Sequence, residues 1–315
     1  MDDPKELSAP SSNGGRPPVR VVTDSSTCIE PELAERLGID LVSLHVHLNG
    51  RDLLDLKDVR PGEVYRALRD GAEITTSAAS VGDYLESFQR LPGPVFCPTM
   101  AASMTSMYEA ATLAARLAED AEIRVLDTGT AAGGLRLIAL ASADMARRGL
   151  GLDEIEAAAS EIGRRIEVVG MLDTIDYLAR SGRVPQVAAW GSSVLKVRPV
   201  VRFASGSGNL LTLVRGNGWA LRELEKLVRD SARRQSAGAS GEGLVCTVFH
   251  ADATELAGEL QARLEQRLPQ AKLTVSEFTP AMGVHTGPGL VGYALYVEPE
   301  ALSSQESRNP STSPS

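Results

Sequence analysis

The sequence predicts an α/β protein of two domains, a doubly wound, mostly parallel sheet followed by a smaller mixed α/β domain. Three observations predict it. Short β-branched runs alternate with helix-length periodic runs, the pattern of a parallel sheet covered on both faces. Between its polar ends the chain has about 280 residues, more than one hydrophobic core usually serves. Apolar residues make up 43% of the 315, an ordinary share for a soluble globular chain.

Residues 1–18 ("MDDPKELSAPSSNGGRPP") and 300–315 are Ser, Pro, Gly and charge without an apolar period, so both ends are expected to be disordered. The first strand is "VRVVT" (19–23), stopped by Asp24 and Ser25. "PELAERLG" comes next, a helix marked by proline at its start and glycine at its end. "DLVSLHVHL" (40–48) alternates with period two, and Asn49-Gly50 turns it into "RDLLDL" as a hairpin. "RPGEVYRALRDG" reads as a helix, as does "SVGDYLESFQRL", where Ser80 and Asp83 stand at capping-box spacing. Strand "PVFC", helix "SMYEAATLAARLAED" and strand "EIRVLDT" come after it. Helices "AAGGLRLIALASADMARRG" and "LDEIEAAASEIGRRIE" close the first domain, 19–165.

The second domain, 166–299, opens with "VVGMLDTIDYLARSGRV". "VLKVRPVVRF" and "NLLTLVR" sit around a Gly/Ser turn as hairpin strands do. Helix "WALRELEKLVRDSARRQ", strand "LVCTVF", helix "TELAGELQARLEQRL" and strands "KLTVSEF" and "GYALYVEP" complete it, with "SAGASGEG" (236–243) as a surface loop.

A net charge of −9 repels a phosphate backbone, which argues against nucleic acid as the main ligand. No apolar run approaches the ~20 residues that span a bilayer, and the first thirty residues hold no apolar segment behind a basic start. A cytoplasmic protein without a membrane span is expected. Cys28, Cys97 and Cys246 are far apart and in or beside apolar segments, which suits reduced structural thiols better than a disulfide frame, a zinc site or a nucleophile.

Three hydroxyl-rich turns come after strands or open helices: "TDSS" (23–26), "TTSAAS" (75–80) and "TMAASMTS" (99–106). At the carboxyl ends of strands in an open α/β sheet they can converge on one anion. Capping explains them too, since Ser80 and Ser106 each have an acidic residue three positions on. Arg183 in "ARSGRVPQ" and Arg215 in "LVRGNG" sit beside glycines on turns, as solvated charges or as bidentate partners of a carboxylate or phosphate.

The stretch "GVHTGPGLVGYAL" (283–295) puts His285 and Thr286 on a glycine-rich turn. Gly287, Gly289 and Gly292 match the dinucleotide spacing, but "GYALYVEP" after them is strand-like, and the required helix and acidic residue are missing. No nucleophile elbow, phosphate loop or H-E-x-x-H occurs, and His45 with His47 on one strand face lacks a third metal ligand. No catalytic engine and no metal site is visible in the residues.

Taken in order, "VVTDSSTCIEPELAERLGIDLVSLHV", "TTSAAS", "YEAATLAAR", "DTIDYLARSGRV", "GSSVLKVRPVV" and "HTGPGLVG" resemble the DegV family of bacterial fatty-acid-binding proteins over about residues 19–297. The resemblance implies a two-domain α/β protein with a long-chain fatty acid buried between layers and no other cofactor. It also implies a non-enzymatic subunit that presents the acyl carboxylate to a separate ATP-dependent fatty acid kinase for phospholipid synthesis. By the same resemblance Thr76, Ser77, Thr105, His285 and Thr286 bind the carboxylate, and Ser25, Arg183 and Arg215 are head-group or partner contacts.

The family's "SSGLSGTYQSA" is here "AASMTSMYEAA", with Ala102 for a serine, Thr105 for the second hydroxyl, and Ser103 and Ser106 for glycines. "TTSQPS" is here "TTSAAS". The bulkier loop puts head-group shape and ligand identity in question. With 4% aromatics, the composition suits a slot walled by aliphatic side chains. Two rivals stand beside the binding subunit: an enzyme acting on a small acidic substrate with His285 as acid or base, and a paralogue without the kinase contact.

Overall fold

The computed structural model describes residues 17–299 apart from 91, 120, 184–196 and 205–206. The chain ends expected to be disordered lie almost wholly outside the described residues, as does the start of "VLKVRPVVRF". A four-stranded sheet has the order Ile39–Val42, Arg20–Asp24, Val95–Thr99, Ile123–Asp127, every pair parallel. A mixed sheet has six strands, in the order Ser207–Val214, Arg198–Ala204, Glu167–Met171, Val291–Val297, Leu244–His250, Lys272–Glu277. Its parallel pair joins Leu244–His250 to Lys272–Glu277. A third sheet, antiparallel, places His45–Leu48 between Arg51–Leu54 and Ile74–Ser77.

The layers reflect which faces are apolar. Helices Val81–Arg90 and Met107–Leu117 pack on each other and on the parallel sheet. Gly133–Arg147 and Leu152–Arg165 lie between the parallel sheet and the mixed one and touch both. Residues Gly133 to Ala139 of the first of these are all buried, as an apolar helix between two sheets must be. Asn217–Arg234 and Thr254–Arg267 cover the far face of the mixed sheet, around a second core that includes Leu221, Leu224, Leu260 and Leu264. A mixed α/β architecture of this kind is what the alternating pattern predicts.

Some local expectations change. The second half of the hairpin, "RDLLDL", is a strand only over Arg51–Leu54, because Asp55 turns inward and is fully buried. Ser106 stands at the start of its helix without a side-chain capping bond. Ser80 does form the expected box: Asp83 Oδ2 accepts from Ser80 N–H at 2.7 Å and Ser80 Oγ accepts from Asp83 N–H at 3.2 Å. "VRPVVRF" and "NLLTLVR" pair as an antiparallel hairpin, with an irregularity between Leu210 and Thr212. "SAGASGEG" is a loop between helix Asn217–Arg234 and strand Leu244–His250.

The inner strand Val291–Val297 is buried throughout and carries Gly292. A Cβ there would land on the Val169 carbonyl oxygen and on the Phe249 ring. Gly292→Ala is expected to destabilise the fold by about 2–4 kcal/mol, because neither a strand backbone nor a packed ring can give way cheaply. Urea unfolding of the two proteins measures it.

Candidate functional site

Thr76 and Ser77 lie on the strand Ile74–Ser77, not on a turn. Successive strand residues face opposite sides, and the structure divides the pair accordingly. Thr76 is opposite fully buried Val46 and turns inward, with Oγ1 2.7 Å from His285 Nε2. Ser77 Oγ lies 3.1 Å from His47 Nε2 on the more open side. His45 and His47 are thus occupied with Asp52, Asp83 and Ser77, and no group of His, Cys, Asp and Glu among the described residues is placed to hold a metal ion.

His285 and Thr286 end a helix, Pro280–Thr286, where the sequence suggests a glycine turn. Thr279 caps it by accepting from Met282 N–H, and Pro280 occupies the first position, where its missing N–H is no loss. Gly287 ends it at φ +72, with a Cβ there landing on the Tyr177 ring. Gly283 lets the helix lie against Tyr65, 2.6 Å from where a Cβ would be. The Tyr65 hydroxyl in turn donates to the Phe278 carbonyl. Thr286 Oγ1 donates back to the Met282 carbonyl at 3.4 Å.

A cleft of about 980 Å³, counted out to its open mouth, gathers Thr76, Ser77, Thr105, Arg183, His285 and Thr286 on its wall. Apart from Thr130, the rest of the wall is without polar side chains and includes Met100, Met107, Val168, Phe249, Met282 and Leu290. No carboxylate among the described residues lines it. Burial, with the Arg183 guanidinium nearby, pushes the His285 imidazole down to about 4, so it is neutral at physiological pH. Hydroxyls, a neutral imidazole and a guanidinium at the mouth of an apolar slot suit an amphiphile with an anionic end, because a buried carboxylate is costly unless hydrogen-bonded.

The loop after Val95–Thr99 is held from three sides. Asp127 accepts from Ala102 N–H at 3.2 Å and from Gly129 N–H at 3.0 Å. The Thr130 carbonyl accepts from Ala101 N–H, and Arg183 Nη1 donates to the Met104 carbonyl at 2.9 Å. Ala102, Ser103 and Ser106 are therefore accommodated with Thr105 still on the cleft wall. The site sits at the carboxyl ends of the parallel strands, beside the central strand Arg20–Asp24 where the winding reverses, the usual place for ligands in such sheets.

Two sequence candidates fall elsewhere. Arg215 is exposed at the end of strand Ser207–Val214, outside the cleft. Ser25 is 1% exposed and off the cleft wall: its Oγ donates to Asp55 Oδ2 at 2.6 Å and accepts from Leu44 N–H at 3.1 Å. Asp55 Oδ1 also accepts from Ala281 N–H at 3.0 Å, which ties the helix bearing His285 to the hairpin and to the first strand. Burial pushes Asp55 up to about 6. Sequence reasoning missed Asp55; its one signal was an acidic residue inside the apolar alternation of "RDLLDL". It also missed the aromatic share of the wall, where Phe203, Phe249 and Phe278 are three of only five phenylalanines in the chain. All three cysteines are buried and free, and burial pushes the Cys28 and Cys246 thiols up to about 12, far from nucleophilic use.

The family model for the uncharacterised protein, DegV family, matches residues 18–298. A DegV domain-containing protein of Streptomyces coelicolor is 33% identical over 282 residues, 88% of this chain and 98% of its own. The structure of a Thermus thermophilus DegV family protein described for its fatty acid binding superposes with TM-score 0.81 at 24% identity, over 89% of this chain and 99% of that one. DegV of Bacillus subtilis, a fatty acid binding protein, superposes with TM-score 0.79 at 20% identity over the same shares. No helix among the described residues is long and apolar enough to cross a membrane.

His285 gives the ligand-free protein a pH signature. Its folded value near 4 is below the unfolded ~6.5, so stability is lost as pH falls through that window. Asp24 and Asp55, pushed up to about 6 by burial, act in the opposite sense, but equally in wild type and a His285 variant. Between pH 7 and 4.5 the wild type is expected to lose about 2 kcal/mol more than His285→Gln, measured by urea unfolding.

Proposed function

The chain belongs to the DegV family, and on that footing we propose that it binds one long-chain fatty acid in the cleft, carboxylate at the mouth and acyl chain inside. The observation that carries this reading is the convergence of Thr76, Thr105, Arg183, His285 and Thr286 on one mostly apolar slot. Fatty acid binding by the Thermus thermophilus and Bacillus subtilis relatives supports it. Burying about fourteen methylenes at ~0.8 kcal/mol each yields roughly 11 kcal/mol gross, so the tail dominates affinity and the polar mouth sets orientation.

The Thr76–His285 pair, bonded to each other, has one proton left to give the carboxylate: the Thr76 hydroxyl donates it when His285 Nε2–H donates to Thr76, and His285 Nδ1–H donates it when Thr76 donates to Nε2. Thr105 and the hydroxyl of Thr286 lie beside them and Arg183 supplies charge. Ser77 contributes through its place on the wall, its hydroxyl being turned to His47. A wall with one imidazole and no described carboxylate to orient it supports holding a ligand over acid–base turnover of a small substrate. In this reading the chain is a cytoplasmic binding subunit without a cofactor of its own. It presents the acid to a separate ATP-dependent kinase, where a carboxylate oxygen takes the terminal phosphoryl group of ATP and ADP leaves. The acyl phosphate then feeds phospholipid synthesis. Exposed Arg215 is a contact for that partner.

Thr76→Ala and His285→Ala are expected to keep the fold and to weaken palmitate binding roughly tenfold to hundredfold, the loss of one hydrogen bond to a charged group. Acyl phosphate formation with a cognate kinase falls in parallel. Titration calorimetry and a coupled kinase assay measure the two effects. Equal affinity and equal turnover by wild type and both variants would remove the clamp.

A further inference from the structure

Phe249, on strand Leu244–His250, lines the slot and is 2% exposed. Across the mixed sheet it pairs with Gly292, and Gly292 pairs with Gly170 on the next strand, so two neighbouring positions in its row carry no side chain. The ring lies over that gap. A Cβ on Gly292 would land on it, and one on Gly170 would be 3.9 Å from it. From the helix layer, a Cβ on Gly133, the first residue of Gly133–Arg147, would come within 2.7 Å of Phe249 Cδ1. Two glycines, Gly292 on a strand and Gly133 on a helix, thus clear the space between layers for one ring, and Gly170 leaves the next position in the row without a side chain. Phe278 stacks on it with centroids 5.2 Å apart and planes 27° apart.

On the wall Thr105, Arg183, His285 and Thr286 are half-buried, as are Met104 and Phe203, whereas Ala132, Val168, Phe249 and Phe278 are buried. An acid held by its carboxylate at the Thr76–His285 pair has one free end, which runs into the apolar part of the wall. Met100, Met104, Met107 and Met282 along the way are flexible and adapt to a chain. The Phe249 ring, wedged by the backbones at Gly133 and Gly292 and by a second ring in a core packed at crystal density, does not step aside. Resting on the fatty-acid-binding reading, we infer that Phe249 is the stop that sets the longest acyl chain the slot accepts.

The test equilibrates wild type, Phe249→Leu, Phe249→Ala and His285→Ala with an equimolar ladder of saturated fatty acids from laurate to behenate. Native mass spectrometry then reads which acid each protein retains. Phe249→Ala is expected to shift the preferred acid longer by roughly two to four carbons, the reach of the ring removed. Phe249→Leu shifts it the same way by a smaller step, and His285→Ala retains less acid of unchanged length. Should Phe249→Ala not fold, Phe249→Leu, which keeps most of the apolar volume, decides. The same preferred acid in wild type and both Phe249 variants overturns the stop while binding stands. A wild type that retains no acid overturns the fatty-acid reading itself.

Discussion

The polar part of the cleft turns on the hydrogen bond between Thr76 and His285, two side chains 209 residues apart in the chain and 2.7 Å apart in space. Neither element carrying them has a reason of its own to stand there. The strand Ile74–Ser77 is the edge of a small antiparallel sheet, and the helix Pro280–Thr286 is barely two turns long. What brings them together is the buried Asp55 and Ser25 pair, which accepts from Ala281 N–H on the helix and from Leu44 N–H beside the hairpin. Burying a carboxylate is costly, and Asp55 is raised to about 6 by it. The hydrogen bonds that offset that cost also fix the mouth of the cleft.

Glycine supplies the second constraint. Where the helix layer meets the mixed sheet, Gly133 and Gly292 remove side chains so that Phe249 fits between layers. At the helix end, Gly283 and Gly287 let the backbone close on Tyr65 and Tyr177. The same residue type thus shapes both ends of the cleft, by admitting an aromatic ring in each case. Polar donors on one part of the wall and apolar side chains on the rest make the slot directional.

The alternation of strands and helices was legible because each helix has one apolar face or, for Gly133–Arg147, apolar residues nearly all round. Thr76, Thr105, His285 and Thr286 were legible through their resemblance to family motifs, and they meet on one wall. Local reading failed where tertiary contact decides. "GVHT" looks like a turn until Thr279 and Pro280 are seen to start a helix. Ser25 sits in a motif that suggests a ligand, yet its partner is an aspartate thirty residues on that no local pattern links to it. A low aromatic content suggested aliphatic walls, but composition says nothing about where five phenylalanines go.

Native mass spectrometry of the freshly purified protein, with identification of whatever denaturation releases, tests the central claim most directly. One long-chain fatty acid per chain is expected. An empty protein that also fails to take up added palmitate or oleate would contradict it, and would leave the cleft to a smaller acid or to a relative that has lost its ligand.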